Sequence, residues 1–321
     1  VADEHTITEP GEYPDVPAPE YHQDPVQTPS LSTSLAKVLT ERTPKHAWLA
    51  HPRLNLEHEP DNKRVYDLGA AAHALLLGED DQVDVIEAPD FRTKAAKEAR
   101  DASLEAGRNP VLQHVYEQAQ AMVRAARAQL QHHEEGYLAL DPANACETTL
   151  VWQRQDGVWC RCRVDILPPA GGLIFDYKTT SASANPEDWT RKSLFDTGAY
   201  LSAASYPEAI KAVRGLEGWE MRYIVQETTP PYALSVVGLD PAATAYAQAK
   251  WERAAATWRW CMQHDVWPGY VAKTAFAELP PWKEKELEDR KLRDELAREQ
   301  TGKNLLELSM TMQAPLEGVD Q

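Results

Sequence analysis

The chain has 321 residues, 43% of them hydrophobic, and a formal net charge of −17. That is enough for one large core in one or two domains, and the acidity argues against indiscriminate nucleic-acid binding. Cys146, Cys160, Cys162 and Cys261 form neither a CxxC pair nor a disulfide-framework spacing, and no apolar run is long enough to span a bilayer. With no signal peptide legible, the expectation is a reduced, cytoplasmic protein with no membrane contact.

In chain order, residues 1–25 come first, with seven carboxylates (Asp3, Glu4, Glu9, Glu12, Asp15, Glu20, Asp24) and no Lys or Arg. Together with their prolines, this predicts a disordered tail over 1–27. "TPSLSTSLAKVLTERTPKHAWLA" reads as a helix capped by Ser or Thr near 30–34. "YDLGAAAHALLLGEDD" is too apolar for a surface helix and should be buried, with His73 in its middle. Two more helices are expected over 93–105 and 110–135. The period then becomes two: "ETTLVWQRQDGVWCRCRVDIL" predicts a hairpin turning at Asp156-Gly157, "PPAGG" a turn, and "LIFDYKTT" a third strand. A helix opened by Asn185-Pro186 follows, then a strand pair split by Thr-Thr-Pro-Pro and a long helix ending at Trp267-Pro268-Gly269. The order predicts an α/β (α+β) domain over 28–282 with a central mixed sheet flanked by helices. A charged, leucine-bearing helix and tail over 283–321 is expected to serve oligomerisation or partner contact; a solvated helix is the alternative.

Strand alternation sharpens this. Cys160, Cys162 and Val164 point one way and should be buried, while Arg161, Arg163 and Asp165 point the other. On the next strand Ile174, Asp176 and Lys178 share a face. The short turn lets Asp165 and Asp176 meet. Two buried carboxylates repel unless a cation compensates, and a divalent metal is the natural one. Carboxylate oxygens suit Mg2+ or Mn2+, and Lys178 would lie beside the ion to orient an attacking water or stabilise charge on a phosphate. A plain Asp176–Lys178 ion pair at a strand end is the structural alternative.

"RCRVDIL … IFDYKTT" resembles the core of the PD-(D/E)XK, restriction-endonuclease-like nucleases, and its flanks resemble the RecE-type exonuclease VIII branch of phages and prophages. "DLGAAAHALLLGEDD" resembles the helix that supplies a metal-binding histidine there, which maps onto His73. "SLFDTGAYLSAASY" resembles the helix where the family often has Q-x-x-x-Y. Asp196 stands at the glutamine position, leaving that position's role open, and Tyr200 at the tyrosine. The resemblance covers roughly 28–282. It implies Mg2+-dependent hydrolysis of double-stranded DNA ends, with Mn2+ as a substitute, running 5′ to 3′ and leaving 3′ overhangs for a RecT-type annealing protein. It also implies a ring-shaped homo-oligomer such as a tetramer, in the cytoplasm of a bacterial host.

On this reading Asp165, Asp176, Lys178 and Tyr200 are the catalytic set, and His73, Asp165, Asp176 and the Tyr177 carbonyl are the metal ligands. Glu147 could reach the site or be a solvated strand end. Arg161 and Arg163 would bind phosphate or merely balance the aspartates. Arg191 and Lys192, with Lys94, Lys97 and Arg100, would track the DNA backbone, and Trp189 could stack on a base. Two alternatives stay open. One is a helicase-associated or Cas4-like nuclease of the same core, which the cysteines disfavour because no iron–sulfur cluster is expected. The other is a catalytically idle DNA-end-binding scaffold.

Overall fold

The computed structural model describes residues 6–58 and 67–312. It divides into one unit ending at Gly269 and a second beginning at Tyr270, earlier than the boundary expected after residue 282. The first unit runs β1 (Gly11–Tyr13), α1 (Ala18–His22), β2 (Leu31–Ser32), α2 (Thr33–Glu41), α3 (Pro44–Ala50), α4 (Leu68–Leu77), β3 (Val83–Ile86), α5 (Lys94–Glu105), β4 (Asn109–Leu112) and α6 (Gln113–Leu130). It continues β5 (Ala145–Gln153), β6 (Trp159–Leu167), β7 (Leu173–Thr180), α7 (Pro186–Trp189), α8 (Ser202–Arg214), β8 (Glu220–Glu227), β9 (Leu234–Val237) and α9 (Pro241–His264). The second unit consists of α10 (Pro281–Thr301) and α11 (Leu305–Met312), joined by a hydrogen bond from the Leu305 amide to Asp294. Leu287, Leu292, Leu296, Leu305 and Leu306 are exposed on it.

Among the described residues seven strands form one sheet, ordered β1-β5-β6-β7-β8-β9, with β2 lying parallel beside β6. Only the β2–β6 and β7–β8 ladders are parallel, so the sheet is mixed and mostly antiparallel. Helices α2, α8 and α9 cover one face, and α4 and α6 the other. The β7–β8 pair needs a crossover because parallel strands cannot be joined by a tight turn, and α7 and α8 supply it. Cys160, Cys162 and Val164 are fully buried, as alternation requires. The short strands β3 and β4 form a separate parallel pair that periodicity did not reveal, so the helix expected from residue 110 begins at Gln113. The single helix expected near 30–50 is two, because Pro44 starts a new one.

Helix α4 is capped by Asp67, whose carboxylate accepts from the Ala70 amide, and stops at Gly78 in the left-handed region. Its Ala71, Ala72 and Ala74 are buried. A Cβ on Gly69 would lie 2.5 Å from Thr179 Oγ1, so this glycine lets the first turn of α4 approach β7. That close contact helps fix the height of His73 above the sheet.

The expectation of a disordered tail over 1–27 is corrected for residues 6–27; residues 1–5 lie outside the described part. β1 adds antiparallel to the edge strand β5. Ile7 and Val26 are buried with Val151 and Trp159. The acidic composition is the complement of cations elsewhere in the fold. Glu12 forms a bidentate pair with Arg214, and the buried Asp24 meets Arg161 at 3.0 Å and His51 at 2.9 Å. Composition suggested disorder only because the counter-charges lie far away in sequence.

Candidate active site

Strands β6 and β7 are joined by a turn in which Gly171 (φ 105°) and Gly172 (φ 75°) occupy conformations that side chains disfavour. The strands pair only at Ile166↔Phe175. One step further from the turn stand Asp165 and Asp176, and there the strands part. β6 continues between β5 and β2, while β7 follows β8. The alternation of β6 also breaks here, since Val164 and Leu167 pack in one core and Ile166 in the other. Asp165 and Arg163 nevertheless reach one cluster, Asp165 through His73 and Arg163 through Glu147.

The fork brings six predicted residues together: His73, Glu147, Asp165, Asp176, Tyr177 and Lys178. Asp165 Oδ2 accepts from the Tyr177 amide at 2.8 Å and lies 3.2 Å from His73 Nε2. The other nitrogen of His73 is 3.6 Å from Glu147. Lys178 Nζ sits 2.8 Å from Asp176. Glu147 adopts φ 49°, rare for a residue with a side chain, and the ladder pairs on either side of it place it opposite Asp165. Tyr177 packs its ring 6.1 Å from that of His73 and donates its hydroxyl to Gln226.

Burial raises Asp176, and the nearby Asp165 carboxylate raises it further against the pull of Lys178. Burial would raise Asp165 too, but His73 and Lys178 outweigh it and hold Asp165 well below the carboxylate range. Burial alone would lower His73; Asp165 and Glu147 overcome it and bring it to about 9. Burial raises Glu147, reinforced by Asp165. Lys178 is held above its ordinary value because Asp176 and Asp165 outweigh its burial. The site thus packs the carboxylates of Glu147, Asp165 and Asp176 against the cations of His73, Arg163 and Lys178.

One ligand atom from each of His73, Glu147 and Asp165 lies within 4.8 Å of the others. One imidazole nitrogen and two carboxylate oxygens make a donor set that fits a small divalent cation. Glu147, expected only as a marginal member, is thus central to the cluster, while Asp176 stands beside it with Lys178.

A cavity of about 420 Å³ opens on the Asp176 and Lys178 side. Hydroxyls of Thr33, Ser34, Ser193, Thr197, Ser202 and Tyr206 line it, together with Lys37. Arg191 and Lys192 lie on the π-helical turn Thr190–Leu194 at its edge, both exposed and both paired with Asp188. Such turns recur at functional sites.

Several expectations are corrected by burial and partners. Arg161 is buried and donates to the Ser30 carbonyl and hydroxyl while pairing with Asp24, so it is a structural tie with no reach to a phosphate. Arg163 is bonded to Glu147 and the Val16 carbonyl and lies 3.5 Å from Glu79; it aims Glu147 rather than a substrate. Tyr200 is buried, its ring packed against Phe195 and Tyr246, and Asp196 is exposed outside the cavity. The tyrosine at the site is Tyr206, whose hydroxyl donates to the Arg163 carbonyl at 2.9 Å. Ser202, four residues earlier on the same helix, lines the cavity with it. The pair has the spacing expected of Asp196 and Tyr200, displaced by six residues. The signal that could have found it is the burial pattern of "SAASY". Trp189 is buried, packs against Tyr223 and contributes to the cavity lining. Lys94 pairs with Glu98 and Arg100 with Asp101, both on α5.

No curated protein matches the sequence. Among solved structures, a candidate exonuclease from Eubacterium rectale aligns at 11% identity over 82% of this chain and 94% of its own, with a TM-score of 0.42. The protein SSO0001 aligns at 13% identity over 63% of this chain and 96% of its own, with a TM-score of 0.24. A family model described as "PDDEXK-like domain of unknown function (DUF3799)" matches residues 32–280, from β2 and the start of α2 through the fork to beyond α9, and the chain belongs to that family.

Proposed function

We propose that the chain is a divalent-metal-dependent exonuclease acting on double-stranded DNA ends, 5′ to 3′, leaving 3′ single-stranded overhangs for an annealing partner of the RecT type. The observation that carries the reading is the fork itself: Asp165 holds His73 and the Tyr177 amide while Asp176 pairs with Lys178 at the head of a hydroxyl-lined cavity. His73, Glu147 and Asp165 would hold the ion, proposed as Mg2+ with Mn2+ as substitute, with Asp176 and the Tyr177 carbonyl as further ligands. A divalent ion there supplies Lewis-acid polarisation of a phosphodiester oxygen. Lys178 keeps its ammonium charged and donates to the reacting phosphate or orients the attacking water. The cavity hydroxyls and Lys37 position the strand, and Arg191 and Lys192 contact its phosphates once released from Asp188. Polarity, and assembly into a ring, rest on the family resemblance.

The test is incubation of linear duplex DNA, labelled at either 5′ or 3′ ends, with Mg2+ and wild type or Asp176→Asn. Nucleotide release from 5′ ends by wild type alone is expected. No release by either protein overturns the nuclease reading, and release starting at 3′ ends overturns the polarity.

A further inference from the structure

Helix α9 buries Ala247, Trp251, Ala254, Ala255, Trp258 and Cys261. Beside that buried stripe, Tyr246, Lys250, Arg253, Thr257, Trp260 and His264 recur at alternating four- and three-residue steps, which places them in one line along the helix. Tyr246 and Trp260 are each 45% exposed, and Arg253 and His264 are exposed as well. In a chain of net charge −17 this line carries cations and no carboxylate. The only acid of α9, Glu252, is held elsewhere by Arg154, and among the described residues no ion pair engages Lys250 or Arg253.

One end of the line adjoins the candidate active site. The Tyr246 ring packs 5.8 Å from Phe195 and 5.3 Å from Tyr200, and the neighbouring Gly198 and Ala199 line the cavity beside Lys178. Lys250 rests over the Tyr246 ring at 5.3 Å. At the other end Trp260 stacks on His264, centroids 4.5 Å apart, leaving its opposite face to solvent. From Tyr246 to Trp260 the helix rises about 21 Å, roughly six phosphate spacings of a stacked strand.

We propose that this line is a track for single-stranded nucleic acid leading to or from the cavity, with bases stacking on Tyr246 and Trp260 and phosphates meeting Lys250 and Arg253. Aromatic platforms interleaved with unpaired cations suit a strand of any sequence, because every base has a stacking face and every phosphate a charge. An exposed cation–π contact is weaker than base stacking, so Lys250 can leave the Tyr246 ring to an arriving base and turn to the next phosphate. The inference rests on the exonuclease reading only for which strand is held.

The test measures binding of the full chain to a fluorescein-labelled oligothymidylate, with chelator present, across a salt series. Trp260→Ala and Tyr246→Ala are each expected to weaken binding about tenfold. Replacing both Lys250 and Arg253 by Ala is expected to lower the slope of log affinity against log salt by about 1.4. Lys211→Ala, an exposed lysine on α8, should change neither. Affinities within about twofold of wild type and an unchanged slope in Trp260→Ala and the double variant overturn the track; because Trp260 and Arg253 are exposed and none of the three side chains is buried, misfolding does not obscure that result. Nucleotide release by wild type with unchanged binding in the variants rejects the track and leaves the exonuclease reading standing. Track-dependent binding by a wild type that releases no nucleotide does the reverse.

Discussion

Strand β6 carries two buried charge clusters within five residues, and they are built to opposite rules. At Arg161 the chain closes the cluster: Asp24, Ser30 and the Tyr21 carbonyl surround the guanidinium, and His51 completes the shell around Asp24. At Asp165 the chain leaves the cluster open: Asp176 and Glu147 add like charge, and a cavity stands beside it. A buried charge with a full set of partners is a tie between segments. One placed among like charges stores an electrostatic demand that an outside cation or substrate can meet. The comparison separates structural from functional residues better than burial does, because Arg161 and Asp176 are equally inaccessible.

The largest effect should come from breaking the open cluster. Lys178→Ala is expected to lower nucleotide release from duplex DNA by about 100- to 1000-fold, the usual loss for one donor to developing charge, and to lower the melting temperature as well, because Asp176 and Asp165 favour its ammonium in the fold. Asp176→Asn should be at least as inactive, yet without divalent ions it should melt no lower than wild type. The folded value of Asp176 is raised, so its ionisation costs stability as pH climbs past the ordinary carboxyl range, and the amide removes that cost. A steep loss of stability in Asp176→Asn would break the comparison.

The closed cluster should respond in the opposite way. Asp24→Asn leaves Arg161 buried and unpaired and is expected to cost about 3–5 kcal/mol, read from the denaturant midpoint, while the folded variant still hydrolyses DNA at low temperature. Burial would raise Asp24, but Arg161 and His51 outweigh it and hold the carboxyl low. Its contribution is therefore complete above the unfolded value of about 3.9 and lost as pH falls through the folded value. The stability gap between wild type and Asp24→Asn should narrow in acid, and a gap independent of pH would count against the ionised pair.

Between the two lies His73. His73→Ala is expected to weaken Mn2+ binding by about 100-fold, measured by calorimetry, and to shrink the rise in melting temperature that saturating Mn2+ gives wild type. An unchanged affinity would move the ion to Asp176 and away from the α4 helix. The smallest effect belongs to the tyrosines. Tyr206→Phe should cost about 1 kcal/mol of stability and reduce activity several-fold through the Arg163 backbone, whereas Tyr200→Phe, at a residue that does not itself line the cavity, should leave activity unchanged.

These contrasts also mark what was legible in advance. The turn, the two aspartates, Lys178 and the buried histidine helix were readable because each depends on local pattern: alternation, a Pro-Pro/Gly-Gly turn, an apolar run with a capping aspartate. The role of the arginines is not legible because alternation assigns a face but not a partner, and the partners of Arg161 are at residues 21, 24 and 30. Tyr206 was missed because an irregular stretch, a π-turn followed by a 3₁₀ turn, separates α7 from α8 and shifts the helical phase. Glu147 was undervalued because its left-handed φ turns a strand residue toward His73 in a way no period predicts.

The sequence by itself determined that the second half would alternate strands and helices around a D-x-K strand, since periodicity and turn chemistry act over a few residues. Only the tertiary structure decided which charges close on one another and which remain open. Those choices depend on β2 taking the place beside β6 that β7 leaves, and on an acidic N-terminal segment folding back onto arginines more than a hundred residues away. Burial makes a lone charge costly, so where partners enclose a charge on every side, as at Arg161, β6 holds the fold together, and where the paired charges of Asp165 and its neighbour Asp176 border a cavity, β6 and β7 offer a site.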